Sequence, residues 1–182
     1  KLIGLYQLRS KAIFLKISWM KMKLDLKEFN QQGFTLIELL VTLSVASILL
    51  SVAVPSYRTF VQDSLLITQS NSFVATIALA KSEAIKRSSR VTICPSTNGT
   101  SCTGGTVWSN GWLVFADPNN PGVVDAGEQI IQVNMALSGG NTLRGGNTRV
   151  TFTVDGLSMG WNDTYTLCDS RGATYSKALV LN

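Results

Sequence analysis

Gly33-Phe34-Thr35-Leu36-Ile37-Glu38 opens an apolar run that continues to Val54 and stops at Pro55. A helix over residues 34–54 would be about 30 Å long, which matches the hydrocarbon core of a bilayer. The run therefore predicts a helix that spans a membrane once. Its polar members are Thr35, Glu38, Thr42, Ser44, Ser47 and Ser51.

The charges of the chain are concentrated in front of this run. Residues 1–33 contain seven basic and two acidic residues and so account for the whole formal net charge of +5, whereas nine basic and nine acidic residues follow. In a secretory signal the cleavage site follows the apolar stretch. In this chain the order is reversed, because a polar stretch comes first and the apolar run follows it. We interpret residues 1–33 as a leader, over-extended at 1–19, whose removal leaves a neutral protein. The basic flank predicts a cytoplasmic amino end.

Glu38 is unusual in this run. A carboxylate inside an apolar segment costs several kcal/mol unless it is partnered or lies near an interface. Glu38 is early enough in the helix to reach the headgroups, and pairing with a cation is the other interpretation.

The stretch 33–41 resembles the amino-terminal signature of the type IV pilins at every diagnostic position, and Pro55 falls where that family commonly has a helix-kinking proline. The resemblance implies that a prepilin peptidase cuts between Gly33 and Phe34 and that the new amino group of Phe34 is methylated. It also implies that Glu38 pairs with the amino terminus of a neighbouring subunit.

A second set of motifs resembles the GspH/FimT group of minor pilins and pseudopilins. The resemblance implies a minor subunit of a type IV pilus or of a type II secretion pseudopilus, whose partners are other pilins, the peptidase and the inner membrane. The motifs are Val91-Thr92-Ile93-Cys94-Pro95-Ser96, Cys102, Trp108, residues 111–117, Asp125-Ala126-Gly127-Glu128 and residues 167–172.

The rest of the chain predicts an α+β fold, in which a long amino-terminal helix packs on an antiparallel sheet or β-sandwich. Apolar residues at helical spacing extend the helix as an amphipathic segment over 55–90, and they are Phe73, Ile77, Ala80 and Ala84. Residues 91–182, expected in the periplasm, have short runs separated by turn formers, which are typical of strands. In 149–154, alternation places Val150, Phe152 and Val154 inside, and 141–144 is a loop or a short edge segment. Other strands are expected near 91–94, 111–116, 129–135, 165–168 and 177–181.

Three cysteines, Cys94, Cys102 and Cys168, follow the apolar run. A disulfide between Cys94 and Cys102 would close a short turn-rich loop, and pairing of Cys94 with Cys168 is the alternative if their strands are neighbours. We favour the local pair, although three cysteines allow three pairings that sequence alone does not rank firmly.

The stretch 117–128 suggests a calcium loop. Asp117, Asn119, Asp125 and Glu128 occupy positions 1, 3, 9 and 12 of an EF-hand-like spacing. Pro121 stands at position 5, where an oxygen ligand is expected, and the flanks are predicted strands. The alternative is a polar hairpin loop with no cofactor.

An enzyme and a DNA-binding protein are the two other function classes to consider. The chain has no histidine, and without a clustered nucleophile and base we do not expect an enzyme. DNA capture during uptake is the alternative to a purely structural role. Members of the group that take up DNA carry a Gly-Arg-x-Arg motif, which is not found in the sequence up to Asn182. The DNA hypothesis rests on Arg144, Arg149, Arg171 and Lys177. A basic cluster at the helix end either adds phosphate contacts or, as we favour, only complements the helix dipole. Its members are Lys81, Lys86, Arg87 and Arg90.

Overall fold

The computed structural model describes residues 33–119, 121–158 and 160–182, so the predicted leader lies outside the described residues apart from Gly33. The chain divides after Ser47 into two compact units. The described part of the first unit is the start of one long helix, and the second unit contains the rest. The described elements are α1 (Leu36–Arg87), β1 (Val91–Pro95), β2 (Trp112–Ala116), β3 (Ile130–Asn134), β4 (Thr142–Arg144), β5 (Val150–Phe152), β6 (Asp163–Cys168), a 3-10 turn (Ala173–Tyr175) and β7 (Lys177–Leu181).

The carboxyl end of α1 is closed by a Schellman motif. Ser88 has a left-handed φ of 47°, the Ser88 N–H donates to Ile85 O, and the Ser89 N–H donates to Ala84 O. These bonds satisfy carbonyls that the last helical turn leaves without partners. The helix therefore ends at Arg87, three residues before the predicted boundary at 90, and β1 starts at residue 91.

Four strands form one antiparallel sheet in the order β3-β2-β1-β5. Val91 lies opposite Ala116 on one side and Phe152 on the other, and Ile93 lies opposite Val114 and Val150. Since side chains alternate along a strand, this register puts Val91 and Ile93 on the inner face with the main core. The outer face carries Cys94, Leu113 and Phe115, which form a second, smaller cluster.

The other three strands form a second antiparallel sheet in the order β4-β6-β7. Residues 141–144, predicted as a loop or an edge segment, contain the edge strand β4, whose Leu143 is buried and whose Arg144 is exposed. Leu143 faces Leu167 of β6, and both belong to the main core. The core thus lies between the two sheets and the buried face of α1, which confirms the predicted α+β architecture.

The prediction that Val154 faces inwards is wrong. β5 ends at Phe152, and Val154 is 45% exposed. The chain turns at this point because the Thr153 N–H donates to Leu157 O and Gly156, with φ of 72°, donates its N–H to Thr153 O. The alternation of apolar and polar residues in the sequence thus continues beyond the last paired residue of β5.

The main core is centred on Phe73 of α1. Its ring lies 5.6 Å from Trp108, 5.3 Å from Trp112 and 4.8 Å from Tyr165, measured between ring centroids. Trp112 belongs to the first sheet and Tyr165 to the second, so this one helical side chain contacts both. Edge-on aromatic packing of this kind adds to the free energy gained by apolar burial.

Candidate assembly site

The apolar side chains of residues 34–54 are largely exposed, which would be unfavourable in water. Leu36 is 82% exposed, Ile48 67% and Val52 70%. An 18-residue window of α1 has a mean hydropathy of 2.3, and none of the window is buried. A core helix of a soluble protein would be mostly buried, so this segment is long and apolar enough to cross a membrane and is left for lipid or for other helices.

The hydroxyl groups in this segment are satisfied within the helix. Each donates a hydrogen bond to the backbone carbonyl three residues earlier, at 2.7–2.9 Å. Such bonds remove the penalty for placing a hydroxyl in an apolar medium. The residues concerned are Thr42, Ser44, Ser47 and Ser51.

Glu38 behaves differently. Its backbone N–H donates to Thr35 Oγ1 at 3.2 Å, which makes Thr35 the amino-terminal cap of α1. In a full capping box the Glu38 side chain would accept a bond from the Thr35 N–H, and that reciprocal bond is not formed. Within residues 33–119, 121–158 and 160–182, no group donates a hydrogen bond to this carboxylate. Its acceptor capacity is therefore open to a partner outside the described chain.

The structure forms the disulfide between Cys94 and Cys102, with their Cα atoms 5.6 Å apart. Cys94 lies at the end of β1, and the loop folds back because the Thr103 N–H donates to Pro95 O at 2.8 Å. Cys168 lies in the other sheet, half-buried, as a free thiol. The local pairing is thus formed rather than the one between Cys94 and Cys168.

Replacing Cys102 with serine is expected to lower the free energy of unfolding by about 2 kcal/mol, because the unfolded chain is no longer restricted by the closed loop. Chemical unfolding of the full chain in detergent micelles, followed by tryptophan fluorescence, measures this change. Cys168→Ser is the matched control and should have a smaller effect. A larger loss from Cys168→Ser than from Cys102→Ser would instead favour the alternative pairing.

In the suggested calcium loop, Asp117 and Glu128 each use one carboxylate oxygen for hydrogen bonds within the protein. Asp117 is fully buried, and its Oδ2 accepts bonds from Thr92 Oγ1 at 2.5 Å and from the Gly122 N–H at 2.8 Å. Glu128 accepts a bond from the Asp125 N–H at 2.9 Å. Asn119 offers its carbonyl to Arg90. Among the described residues, which do not include Asn120, no three acidic or cysteine side chains are grouped to hold a metal ion.

Two of the four arginine and lysine residues considered for DNA are engaged inside the protein. Arg171 forms ion pairs with Asp169 at 2.6 Å and with Asp63 at 2.7 Å, and it lies over the ring of Tyr175. Arg149 lies over the ring of Trp161, 4.9 Å from its centroid. Their guanidinium groups therefore stabilise the fold through these contacts.

Arg144 and Lys177 are exposed, but the structure does not bring them together. Arg144 lies opposite Thr166 and Lys177 lies opposite Leu167. Adjacent residues of β6 point to opposite faces of the sheet, so the two cations do as well. The four residues do not form one basic surface.

The basic cluster at the end of α1 is also largely occupied. Lys86 and Arg87 both pair with Glu83, at 3.1 and 2.6 Å. Arg90 donates to the backbone carbonyls of Asp117, Pro118 and Asn119 and so ties the helix end to the loop after β2. These contacts are structural, and Lys81 is the member of the cluster that has neither an ion pair nor a side-chain hydrogen bond with a described residue.

Acid is expected to weaken the Arg171 contacts. The hydrogen-bonded Arg171 guanidinium holds the pKa of the Asp169 carboxyl below its ordinary value. A carboxyl with a lowered pKa stabilises the fold above its unfolded pKa, about 3.9, and that contribution is lost as the pH falls through the folded pKa. At pH 6 the free energy of unfolding of the parent protein should therefore exceed that of Asp169→Asn. This difference between the two proteins should shrink below about pH 4.

Urea unfolding of both proteins between pH 6 and pH 2.5 measures this difference. Asp155→Asn is the control, since Asp155 is exposed and makes no hydrogen bond to a described residue. A gap between Asp169→Asn and the parent protein that stays constant with pH would contradict the expectation.

Comparison with known proteins gives two family matches. The family model described as type II transport protein GspH matches residues 69–182, and the prokaryotic N-terminal methylation motif matches residues 29–54. A search of curated proteins gives no significant match.

Two crystal structures of the type IV minor pilin FimU from Pseudomonas aeruginosa are similar to this chain. The form in space group P21 aligns with 68% of this chain and 86% of its own, at 16% identity and a TM-score of 0.54. The P65 form aligns with 64% of this chain and 86% of its own, at 16% identity and a TM-score of 0.49. At this identity the likeness to the P21 form concerns the fold.

Proposed function

This chain belongs to the GspH family of type II transport proteins, and we propose that it is a minor pilin or pseudopilin that assembles into a filament. The family description refers to type II transport and the similar crystal structure is a type IV minor pilin, so the proposal covers a secretion pseudopilus and a type IV pilus. The proposed role is structural, in which the chain contributes packing surfaces to the filament. DNA binding gains no support from the arrangement of the basic residues.

The observation that carries the proposal is the carboxylate of Glu38. The hydroxyl groups of the same apolar segment are bonded within the helix, whereas Glu38 accepts no bond from a described group. A carboxylate in an apolar environment is costly unless it has a cationic partner or lies near an interface. We propose that the partner is the amino terminus of Phe34 in a neighbouring subunit. The two groups lie about one helical turn apart along the axis, so a neighbour displaced by one turn brings them to the same level.

This pairing requires a free amino group at Phe34. We propose that a prepilin peptidase cuts between Gly33 and Phe34 and that the new amino group is methylated, as the matching methylation motif over residues 29–54 suggests. Before assembly the segment 34–54 would hold the protein in the inner membrane, with the amino end in the cytoplasm and residues 91–182 in the periplasm. Pro55 would supply the bend that follows the membrane segment.

Co-expression of the full chain with a prepilin peptidase tests this proposal. Mass spectrometry of the membrane product should give an amino terminus at a monomethylated Phe34. Gly33→Leu should remain uncut, because a side chain then stands next to the scissile bond. Gly105→Ala is the control, since a Cβ there meets nothing closer than 3.9 Å. Processing of Gly33→Leu at the parental rate would refute the cleavage site.

A further inference from the structure

β7 has a free edge. It is the last strand of the order β4-β6-β7, and it pairs only with β6, from Asp163 opposite Leu181 to Leu167 opposite Lys177. In the described part of the chain no backbone hydrogen bond reaches its other edge. Natural edges are commonly protected by charges, prolines or bulges. β7 has one charged residue, at its start, and exposes Val180 by 65%.

An apolar cleft of about 550 Å³ opens beside the end of β7. Its lining includes Leu181 of β7, Val74 and Ile77 of α1, and Phe152 at the end of β5. Two of the lining residues are largely exposed, Val74 by 51% and Leu157 by 57%. Leu179 and Leu181 point to this side of the sheet, so inward side chains of a strand added to β7 would point towards the cleft.

Lys81 gives the cleft a charge preference. It lines the cleft and has no ion pair with a described residue, whereas Lys86 and Arg87, further along α1, are paired with Glu83. A cation at the rim of an apolar cleft favours an occupant with an acidic group next to its apolar part.

We propose that β7 binds an extended segment of a neighbouring filament subunit as an added strand, with an apolar side chain in the cleft and an acidic residue against Lys81. A strand is the occupant because it alone can pair with a row of backbone groups. A lipid is disfavoured by position, since Val74 lies 20 residues beyond Val54, about 30 Å along the helix. The inference rests on the proposed function, because the occupant is a second filament subunit.

Site-specific photo-crosslinking in filament-producing cells tests the inference on the full chain. A photoreactive amino acid is placed at Val180 or at Leu157, and the crosslinked peptides are identified by mass spectrometry. Both positions should join one short segment of another filament subunit, with alternating apolar residues and an acidic residue. Lys81→Glu should reduce both products about tenfold, because like charges then face each other. Lys86→Glu, on the same helix but outside the cleft, should leave them unchanged.

A third probe at Leu50, in the exposed apolar segment, separates this inference from the assembly proposal. Crosslinks from Leu50 to other subunits without any from Val180 and Leu157 would overturn the added strand and leave assembly standing. Absence of crosslinks from all three positions would overturn both. Crosslinks from Val180 and Leu157 to unrelated segments, or products that persist in Lys81→Glu, would also refute the added strand.

Discussion

Glu38→Gln is expected to reach the membrane at the parental level and to enter filaments about tenfold less often or worse. The substitution keeps the size of the side chain and the Glu38 N–H that bonds Thr35 Oγ1, so the helix start is preserved. It removes the negative charge that would pair with the amino terminus of a neighbour. Loss of one member of a buried ion pair costs several kcal/mol, and about 1.4 kcal/mol already corresponds to a tenfold change.

Two variants show whether such a loss comes from the charge. Thr35→Val removes the helix cap but keeps the carboxylate, and it should cost about 1 kcal/mol locally with little effect on incorporation. Ser44→Ala removes a hydroxyl bonded to Val41 O within the same apolar segment and should be neutral. The measurement is the amount of each variant in sheared or purified filaments, relative to the amount in the membrane fraction.

Equal incorporation of Glu38→Gln and the parent protein would contradict the pairing and leave the headgroup interpretation of this carboxylate. If Thr35→Val were as defective as Glu38→Gln, the helix start and not the charge would be the requirement. The expected order is therefore a large loss for Glu38→Gln and small losses for both controls.

The sequence predicted those helices and strands that are determined by a pattern of residues within the element itself. The apolar run ending at Pro55 and the spacing of Phe73, Ala80 and Ala84 are periodic signals, and the structure has a helix there with those three side chains buried. Short runs between turn formers gave the strands β1, β2, β3, β6 and β7 to within one or two residues. Family resemblance was readable because its motifs are contiguous.

The errors arose where a boundary depends on individual hydrogen bonds. The helix was extended to residue 90 because no glycine marks its end, yet Ser88 adopts the left-handed conformation and closes the Schellman motif. Val154 continued an alternating pattern, but the bond from the Thr153 N–H to Leu157 O had already ended the strand. Neither bond has a clear signal in composition or periodicity.

The roles of the charged residues were the least predictable part of the site. Arg171 was named for the DNA alternative, but its guanidinium donates a hydrogen bond to Asp63, which lies 108 positions away in the chain. Arg90 was placed in a basic cluster, and it binds three backbone carbonyls after β2. Charged side chains and their partners that come into contact only after the sheets pack on α1 cannot be predicted from the spacing of residues in the sequence. The exposed edge of β7 was missed for the same reason, since strand order is a property of the assembled sheet.

Phe73→Ala is expected to lower the free energy of unfolding of the folded domain by about 3–5 kcal/mol. Phe73 is fully buried, and its ring lies within 5.6 Å of Trp108, Trp112 and Tyr165. Truncation removes these aromatic contacts and leaves a cavity where α1 meets both sheets, and rigid aromatic neighbours allow little collapse into it. Since domains of this size are stable by only about 5–15 kcal/mol, the loss is a large share of the total.

Two substitutions separate cavity formation from a general effect on the helix. Phe73→Leu keeps most of the volume and should cost less than half as much as alanine, because apolar contact with Trp108 and Trp112 is partly retained. Ile67→Ala, at a position 52% exposed on the same helix, should change stability by about 1 kcal/mol or less. Urea unfolding of the full chain in detergent, followed by tryptophan fluorescence, reports on the two core tryptophans next to Phe73. Equal losses for Phe73→Ala and Ile67→Ala would show that the aromatic cluster does not hold α1 to the two sheets, because only the first substitution opens a cavity between them.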